Sequence, residues 1–421
     1  MNIKTLYTII ALGMFTLMVV ARFSWAESNN RKTFFPVESV DTMKYSRDAA
    51  RNKEANAKIP LMISAAAALH PTHIAIATPY DDEFLPVMRL WVAEVRKHNI
   101  KVWYRGNFAA WEDWFGYGRF EDPSEHLAKT ERFIKNNPDL FQDGDIFTPV
   151  PEAENGGFGD PRKDEATKNK FFDFLPKSYT VCEKGMKAIG KKVECGYFSV
   201  NGDVAHMFTK DIVDRTGGVL VIDHYVKTPE ELITDIKEYH NKTGAKIVLG
   251  EYGAPIPDIH GDLTEQEQSD LVRQNMIALV KNRDIVGGIN YWTAFGGSTE
   301  IFEGDDIKPK LAAATLGEYF DPYVVNGQVV DEFGGAISGA TVSNGLETTK
   351  TNLVGNYTLM ATRDFVDITV EKNDYTTVDT AIIPEGTRKT YTKNVEMVSS
   401  NHNLVYLVRK FFHTLSTYTH F

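Results

Sequence analysis

The chain has 421 residues, 43% of them hydrophobic and 24% charged, a globular composition that supplies a sizeable core and suggests two domains. Its net charge of -11 is spread along the chain, with no basic run beyond pairs such as Lys191-Lys192, which argues against nucleic acid or an anionic membrane surface as a partner. Its only cysteines, Cys182 and Cys195, exclude a metal cluster and a disulfide framework, while leaving open either one disulfide in an oxidising compartment or two small buried residues.

Residues 1–26 place Lys4 ahead of an apolar run from Leu6 to Ala21, then a small-x-small sequence at Ser24-Trp25-Ala26. This is the pattern of a secretory signal, or of an N-terminal anchor if it is not removed. The expected location is secreted, periplasmic or cell-surface, with membrane contact only through that segment.

From residue 27 to 322 strand-like and helical runs alternate. Thr33 to Val40 is a weak strand, followed by helix or loop from Asp41; His73 to Pro79 is a buried strand, and Asp82 to His98 carries apolar residues at helical spacing. Lys101 to Gly106 reads as strand, Ser124 to Asn136 as helix, Asp145 to Glu152 as strand, and Glu165 to Ile189 as a long helix. The alternation continues with strand Val193 to Val200, helix Gly202 to Asp214, strand Gly218 to Tyr225 and helix Thr228 to Thr243. Strand Ile247 to Gly253, helix Glu265 to Asn282, strand Gly287 to Phe295 and helix Lys310 to Phe320 complete the set. Eight β and α units over this length predict an α/β fold, a closed (β/α)8 TIM barrel. No Gly-x-Gly-x-x-Gly turn follows the first strands, which weighs against a dinucleotide cofactor, and no cofactor or metal is expected.

The pattern changes at Pro322. Residues 323–399 alternate in short strands separated by turn signals, predicting a small all-β sandwich. Residues 400–421 form an aromatic, weakly amphipathic tail, too short to span a bilayer, for which a surface-docking helix and a disordered segment are both open.

Site residues of a parallel barrel come from the carboxyl ends of its strands. Those ends carry Trp103, Arg105, Asn107 and Trp111 after strand three, Glu152 and Glu154 after four, and Asn201 after five. Asp223-His224-Tyr225 follows strand six, Glu251 lies in IVLGEYGAP at strand seven, and Asn290-Tyr291-Trp292 ends strand eight. Aromatic faces with carboxylates and amides suit a neutral, hydroxyl-rich ligand, although each tryptophan alone reads equally well as packing. Two carboxylates from opposite walls also supply what glycosidic cleavage with retention needs: one to protonate the leaving oxygen, the other to attack the anomeric carbon.

On DHY (Asp223 to Tyr225), GEYG (Gly250 to Gly253) and INYW (Ile289 to Trp292), in that order along the chain, residues 33–320 resemble the clan of retaining (β/α)8 glycoside hydrolases, the cellulase and mannanase relatives. The resemblance implies a glycosidase acting on O-glycosyl bonds of a polysaccharide or oligosaccharide. In it, Glu251 is the nucleophile, Glu152 the acid/base, Tyr225 the partner of Glu251 and Trp292 the floor of the sugar site. The strand ends further offer His224, Arg105, Asn107, Trp103, Trp111, Asn201 and Glu154 as substrate contacts, with Glu154 close behind Glu152 as the other candidate acid/base. The clan usually has Asn before the acid/base, where this chain has Pro151. That departure motivates the alternative of a noncatalytic cell-surface barrel that only binds glycans. Less expected is a metal-dependent hydrolase using Asp81, Asp82, His73, His224 and His260. VVNGQVVDEFGGAISGATVS followed by GNYTLMA resembles the carboxypeptidase-regulatory-like β domain, which implies a spacer, stabilising or glycan-binding module.

Overall fold

The strands of the first domain are short apolar runs whose residues are buried on both faces, as expected when helices cover a parallel sheet. The computed structural model describes residues 32–120 and 122–418, so the expected signal segment lies outside the described residues. Eight parallel strands, β1 (Val37–Asp41), β2 (His73–Ile76), β3 (Lys101–Tyr104), β4 (Ile146–Phe147), β5 (Ser199–Asn201), β6 (Val219–Asp223), β7 (Lys246–Tyr252) and β8 (Val286–Tyr291), are paired in the order β4-β3-β2-β1-β8-β7-β6-β5. The ring closes between β4 and the segment ahead of β5. There Ile146 bridges Glu194, Phe147 N–H donates to the Glu194 carbonyl at 2.8 Å, and Glu194 N–H donates to the Asp145 carbonyl at 2.9 Å.

Helices α1 (Ile59–Ala67), α2 (Leu85–Lys97), α3 (Pro123–Asn136), α4 (Glu165–Ala188), α5 (Lys210–Arg215), α6 (Pro229–Thr243), α7 (Glu265–Lys281) and α8 (Leu311–Phe320) follow the strands in turn. Their starts are chemically marked. Asp122, Asp164, Thr228 and Thr264 each cap the next helix through a side-chain oxygen, and Thr264 with Glu267 forms a capping box. α1 was not separately expected, because Leu61 to Ala67 is too uniformly apolar to show a helical period. The helix expected over Gly202 to Asp214 is two short helices, interrupted between His206 and Thr209, where the Thr209 side chain starts α5 afresh.

Two apolar layers hold the barrel. A large one lies between sheet and helices, and a small one, Val37, Ala75, Trp103, Ile146, Val221 and Val248, fills the interior. Cys182 of α4 and Cys195 form a disulfide, which settles the pairing the sequence left open.

Beyond Pro322 two small sheets pack face to face around Val325, Val329, Val342, Leu359, Ile368 and Val370. Tyr323–Asp331 is central in one; Thr341–Ser343 and Asp367–Glu371 are central in the other. This β domain lies on the barrel: Leu346, Met360 and Phe365 join the barrel's apolar layer, and Arg273 of α7 pairs with Glu318 at 3.0 Å and with Asp364 of the β domain. The tail is a helix, Leu404–Tyr418, with Tyr406 and His413 against Phe333 and Arg409 paired to Asp331 at 2.6 Å.

Candidate active site

Side chains alternate across a strand, so Val248 pointing into the barrel predicts Gly250 inward and Glu251 outward. The structure breaks that alternation. The β6–β7 register runs Ile222 to Leu249 and then Asp223 to Glu251, skipping Gly250, a bulge that turns the Glu251 carboxylate inward. Gly250 is required here, since a Cβ on it would lie 2.5 Å from Asp223 Oδ1. Gly253 is similarly pressed, its Cβ position 1.9 Å from the Trp292 carbonyl oxygen.

Above the apolar interior lies a polar layer tied together by Arg105. Arg105 Nη1 donates to Asp41 Oδ2 at 2.7 Å and to Glu251 Oε1 at 3.3 Å; Nη2 donates to Ser199 Oγ at 3.1 Å and to both Asp223 oxygens at 3.3 Å. Asp41 also accepts from Met43 N–H at 2.7 Å and from Asn290 Nδ2 at 2.8 Å. The Tyr225 hydroxyl donates to Glu251 Oε2 at 2.9 Å. Thus both Glu251 oxygens have donors from protein groups.

Glu152, expected to end a strand from Asp145, faces this layer instead from the loop after β4, which stops at Phe147. Its backbone is left-handed, φ 43° and ψ 51°, a conformation a non-glycine residue holds only where its surroundings enforce it. Its N–H is fixed by the Ser199 carbonyl at 2.9 Å. One carboxylate oxygen from each of Glu152, Asp223 and Glu251 lies within 4.8 Å of the others. These three acids are also the residues that could converge on a metal ion.

The electrostatics follow from burial. Loss of water raises Glu251 above the ordinary carboxylate range; Arg105 opposes the rise and Glu152 adds to it. Burial, with Glu251 as neighbour, raises Asp223 further. Glu154, 3% exposed, is pushed up to about 7 by burial, against the Asn201 N–H and Nδ2 that hold its Oε1 at 2.6 and 3.1 Å. Burial, then the charge of Glu152, likewise raises Glu112 to about 7.

Trp292 is partly exposed, with Tyr225 edge-on at 6.1 Å and Lys44 Nζ 5.2 Å from its ring centre. Other expected contacts are corrected. Trp103 is wholly buried in the barrel interior with Nε1 on Thr148 Oγ1 at 2.9 Å. Trp111 is buried against Phe174 with Nε1 on the Ala153 carbonyl at 3.3 Å. Asn107 is buried on His126 and the Phe108 N–H. All three are fully buried. His224 is held by Asp235 at 2.8 Å, and Asn201 by Glu154. The residues weighed for a metal centre do not converge, since His73 lies on the Gly144 carbonyl and His260 on that of Val226.

The sequence reading did not single out Asp41 or Ser199, and it placed Asp223 at its strand end without giving it a role. Asp41 ends strand β1, so the rule that selected Glu251 and Asp223 applied to it equally.

No family model matches the chain, and no curated protein matches it. Among solved structures the chain is similar to the glycoside hydrolase GH5_18 of Streptomyces cattleya. A variant of that protein with Manβ1-4GlcNAc matches at a TM-score of 0.52 and 14% identity over 71% of this chain and 85% of the other. Its complex with GlcNAc matches at 0.51 and 13%, over 72% and 85%. GH5_18 of Bifidobacterium longum subsp. longum, also with Manβ1-4GlcNAc, matches at 0.51 and 14%, over 75% and 87%. At these identities the likeness establishes a shared barrel fold.

Proposed function

We propose that the protein is a secreted retaining glycoside hydrolase that cleaves β-glycosidic bonds of a polysaccharide or oligosaccharide by double displacement. One observation carries the reading: carboxylate oxygens of Glu152 and Glu251 stand within 4.8 Å of each other at the carboxyl end of a (β/α)8 barrel. Retaining enzymes hold their two carboxyl groups about 5 to 5.5 Å apart, whereas inverting ones leave room for a water.

Glu251, oriented by Arg105 and Tyr225, attacks the anomeric carbon while Glu152 gives its proton to the departing oxygen. Glu152 then removes a proton from the water that releases the sugar from Glu251. Glu152 is preferred to Glu154 as the acid because Glu154 is enclosed and one of its oxygens is committed to Asn201. The carbohydrate ligands of the GH5_18 structures and the partly exposed Trp292 support a sugar at this position. The Cys182–Cys195 disulfide and the signal-like residues 1–26 support export.

The test is turnover of β-glucan, β-mannan and xylan by the full chain, with proton NMR of the first product. Release of the β-anomer that Glu251→Gln abolishes is the expected result; undiminished hydrolysis by Glu251→Gln would overturn the mechanism. Pro151, directly before Glu152, favours the noncatalytic reading, which predicts glycan binding with no turnover of the bound sugar.

A further inference from the structure

Two adjoining cavities on the β domain, about 380 and 460 Å³, share Lys372 and Asn373 and together form one trough. Its lining residues have no part in the barrel site. At one end Thr341 stands opposite Lys350 on one neighbouring strand and Glu371 on the other. Val342 and Val370 fill the sandwich core, so by alternation this row faces away from it. At the other end the tail helix makes a wall, where Asn403, Tyr406 and Arg409 line the cavity together with Phe333 and Tyr375.

The charges of the trough are already matched. Asp331 pairs with Arg409 at 2.6 Å, Glu332 accepts from the Ser399 N–H at 3.3 Å, and Asp374 accepts from Asn401 Nδ2 at 3.3 Å. Lys372 Nζ donates to the Ser338 carbonyl at 2.7 Å, and Lys350 and Glu371 flank Thr341 with opposite signs. The groups left over are neutral. Tyr375 packs against the sandwich core, and among the described residues its hydroxyl, the Asn373 amide and Asn403 Nδ2 hold no hydrogen bond.

Aromatic rings beside amides and hydroxyls complement a neutral sugar, whose C–H face packs on a ring while its hydroxyls bond the amides. A peptide added as a strand would need an unpaired edge, whereas this floor crosses paired strands. Two joined cavities suit a chain of sugars better than a single one.

We propose that the trough is a second carbohydrate site, separate from the barrel, which holds a neutral polysaccharide on the β domain with the tail helix as one wall. The inference goes beyond the hydrolase reading and does not depend on Glu251 or Glu152.

The test is affinity electrophoresis of the full chain through gels holding β-glucan, β-mannan or xylan, with polygalacturonate as the anionic control. At least one neutral polymer is expected to retard wild type, Glu251→Gln and Trp292→Ala alike. Tyr375→Ala and Tyr406→Ala, checked for folding by circular dichroism, should bind it at least about tenfold more weakly. Asn373→Ala, at an exposed position, keeps the test decisive should both tyrosine variants unfold, and should bind about three- to tenfold more weakly. Retardation by no neutral polymer, retardation by polygalacturonate alone, binding unchanged in the folded trough variants, or binding abolished by Trp292→Ala would each overturn the inference. Turnover of a short β-linked oligosaccharide separates the two readings. Polymer retention without turnover leaves the trough standing and removes the hydrolase; turnover without polymer retention does the reverse.

Discussion

Glu251 and Glu152 differ in how firmly the protein holds them, and their substitutions should differ accordingly. Glu251→Gln removes the attacking atom and is expected to lower kcat by about 10^3 or more on any glycan the protein cleaves. Glu152→Gln should cost about 10^2 to 10^4, and least on substrates whose leaving group needs no proton, whereas Glu154→Gln should leave that leaving-group dependence unchanged. Tyr225→Phe deletes one donor to a buried carboxylate, worth about 1.5 to 3 kcal/mol, so a loss of roughly 10- to 100-fold is expected. It also has a sign in pH. The nucleophile must be ionised, burial already raises its pKa, and the Tyr225 hydroxyl lowers it. The acid limb of the rate profile should therefore lie above the ordinary carboxylate range and move higher still in Tyr225→Phe. At this scale the sequence was partly legible. The meeting of Tyr225 and Glu251, 2.9 Å apart, could be expected because both stand at the ends of apolar strands, where an acid has no packing role. The burial of Trp103, Trp111 and Asn107 could not, because residue type does not reveal which side of a strand or loop is covered.

The elements were easier to read than the contacts between them. Strands buried on both faces and helices with Asp or Thr caps announce themselves locally, whereas the bulge at Gly250 depends on Asp223, 27 positions earlier in the chain. The seam of the barrel is a further non-local feature. β4 and β5 meet only through the bridge at Glu194 among the described strand pairings, and Cys195, the next residue, is anchored to α4. A disulfide spanning 13 positions stabilises by about 3 kcal/mol through the unfolded chain, in the loop-entropy account. Cys182→Ser with Cys195→Ser is expected to lower unfolding stability by about 2 to 4 kcal/mol in urea. Amide exchange should rise first in Asp145 to Phe147, which lean on that seam.

Over the whole molecule, buried acids set a pH dependence opposite in sign to that of a salt-bridged protein. Glu112 and Glu154 stand at about 7 when folded, against an ordinary 4.5. Between those values the folded chain holds protons that the unfolded chain has released. Their contribution is full below about pH 4.5 and is lost as pH rises through about 7, on the order of 1 to 3 kcal/mol for each group. Denaturant midpoints of wild type should fall across that window, and less steeply in Glu154→Gln. The β domain belongs to the same balance. Ending the chain at Pro322 would uncover the barrel surface against Leu346, Met360 and Phe365 and leave Arg273 without Asp364, so a barrel less stable by about 1 to 3 kcal/mol is expected by calorimetry. Arg105 bears on how this molecule can change. It joins β1, β5, β6 and β7 from its place after β3, so Arg105→Met would strand several buried acids and cost about 3 to 5 kcal/mol. A lineage or a mutant library would lose soluble protein at this position before it could sample a new specificity. Divergence in what is bound should accumulate instead in the loops around the mouth, with the guanidinium kept as a fixed hub.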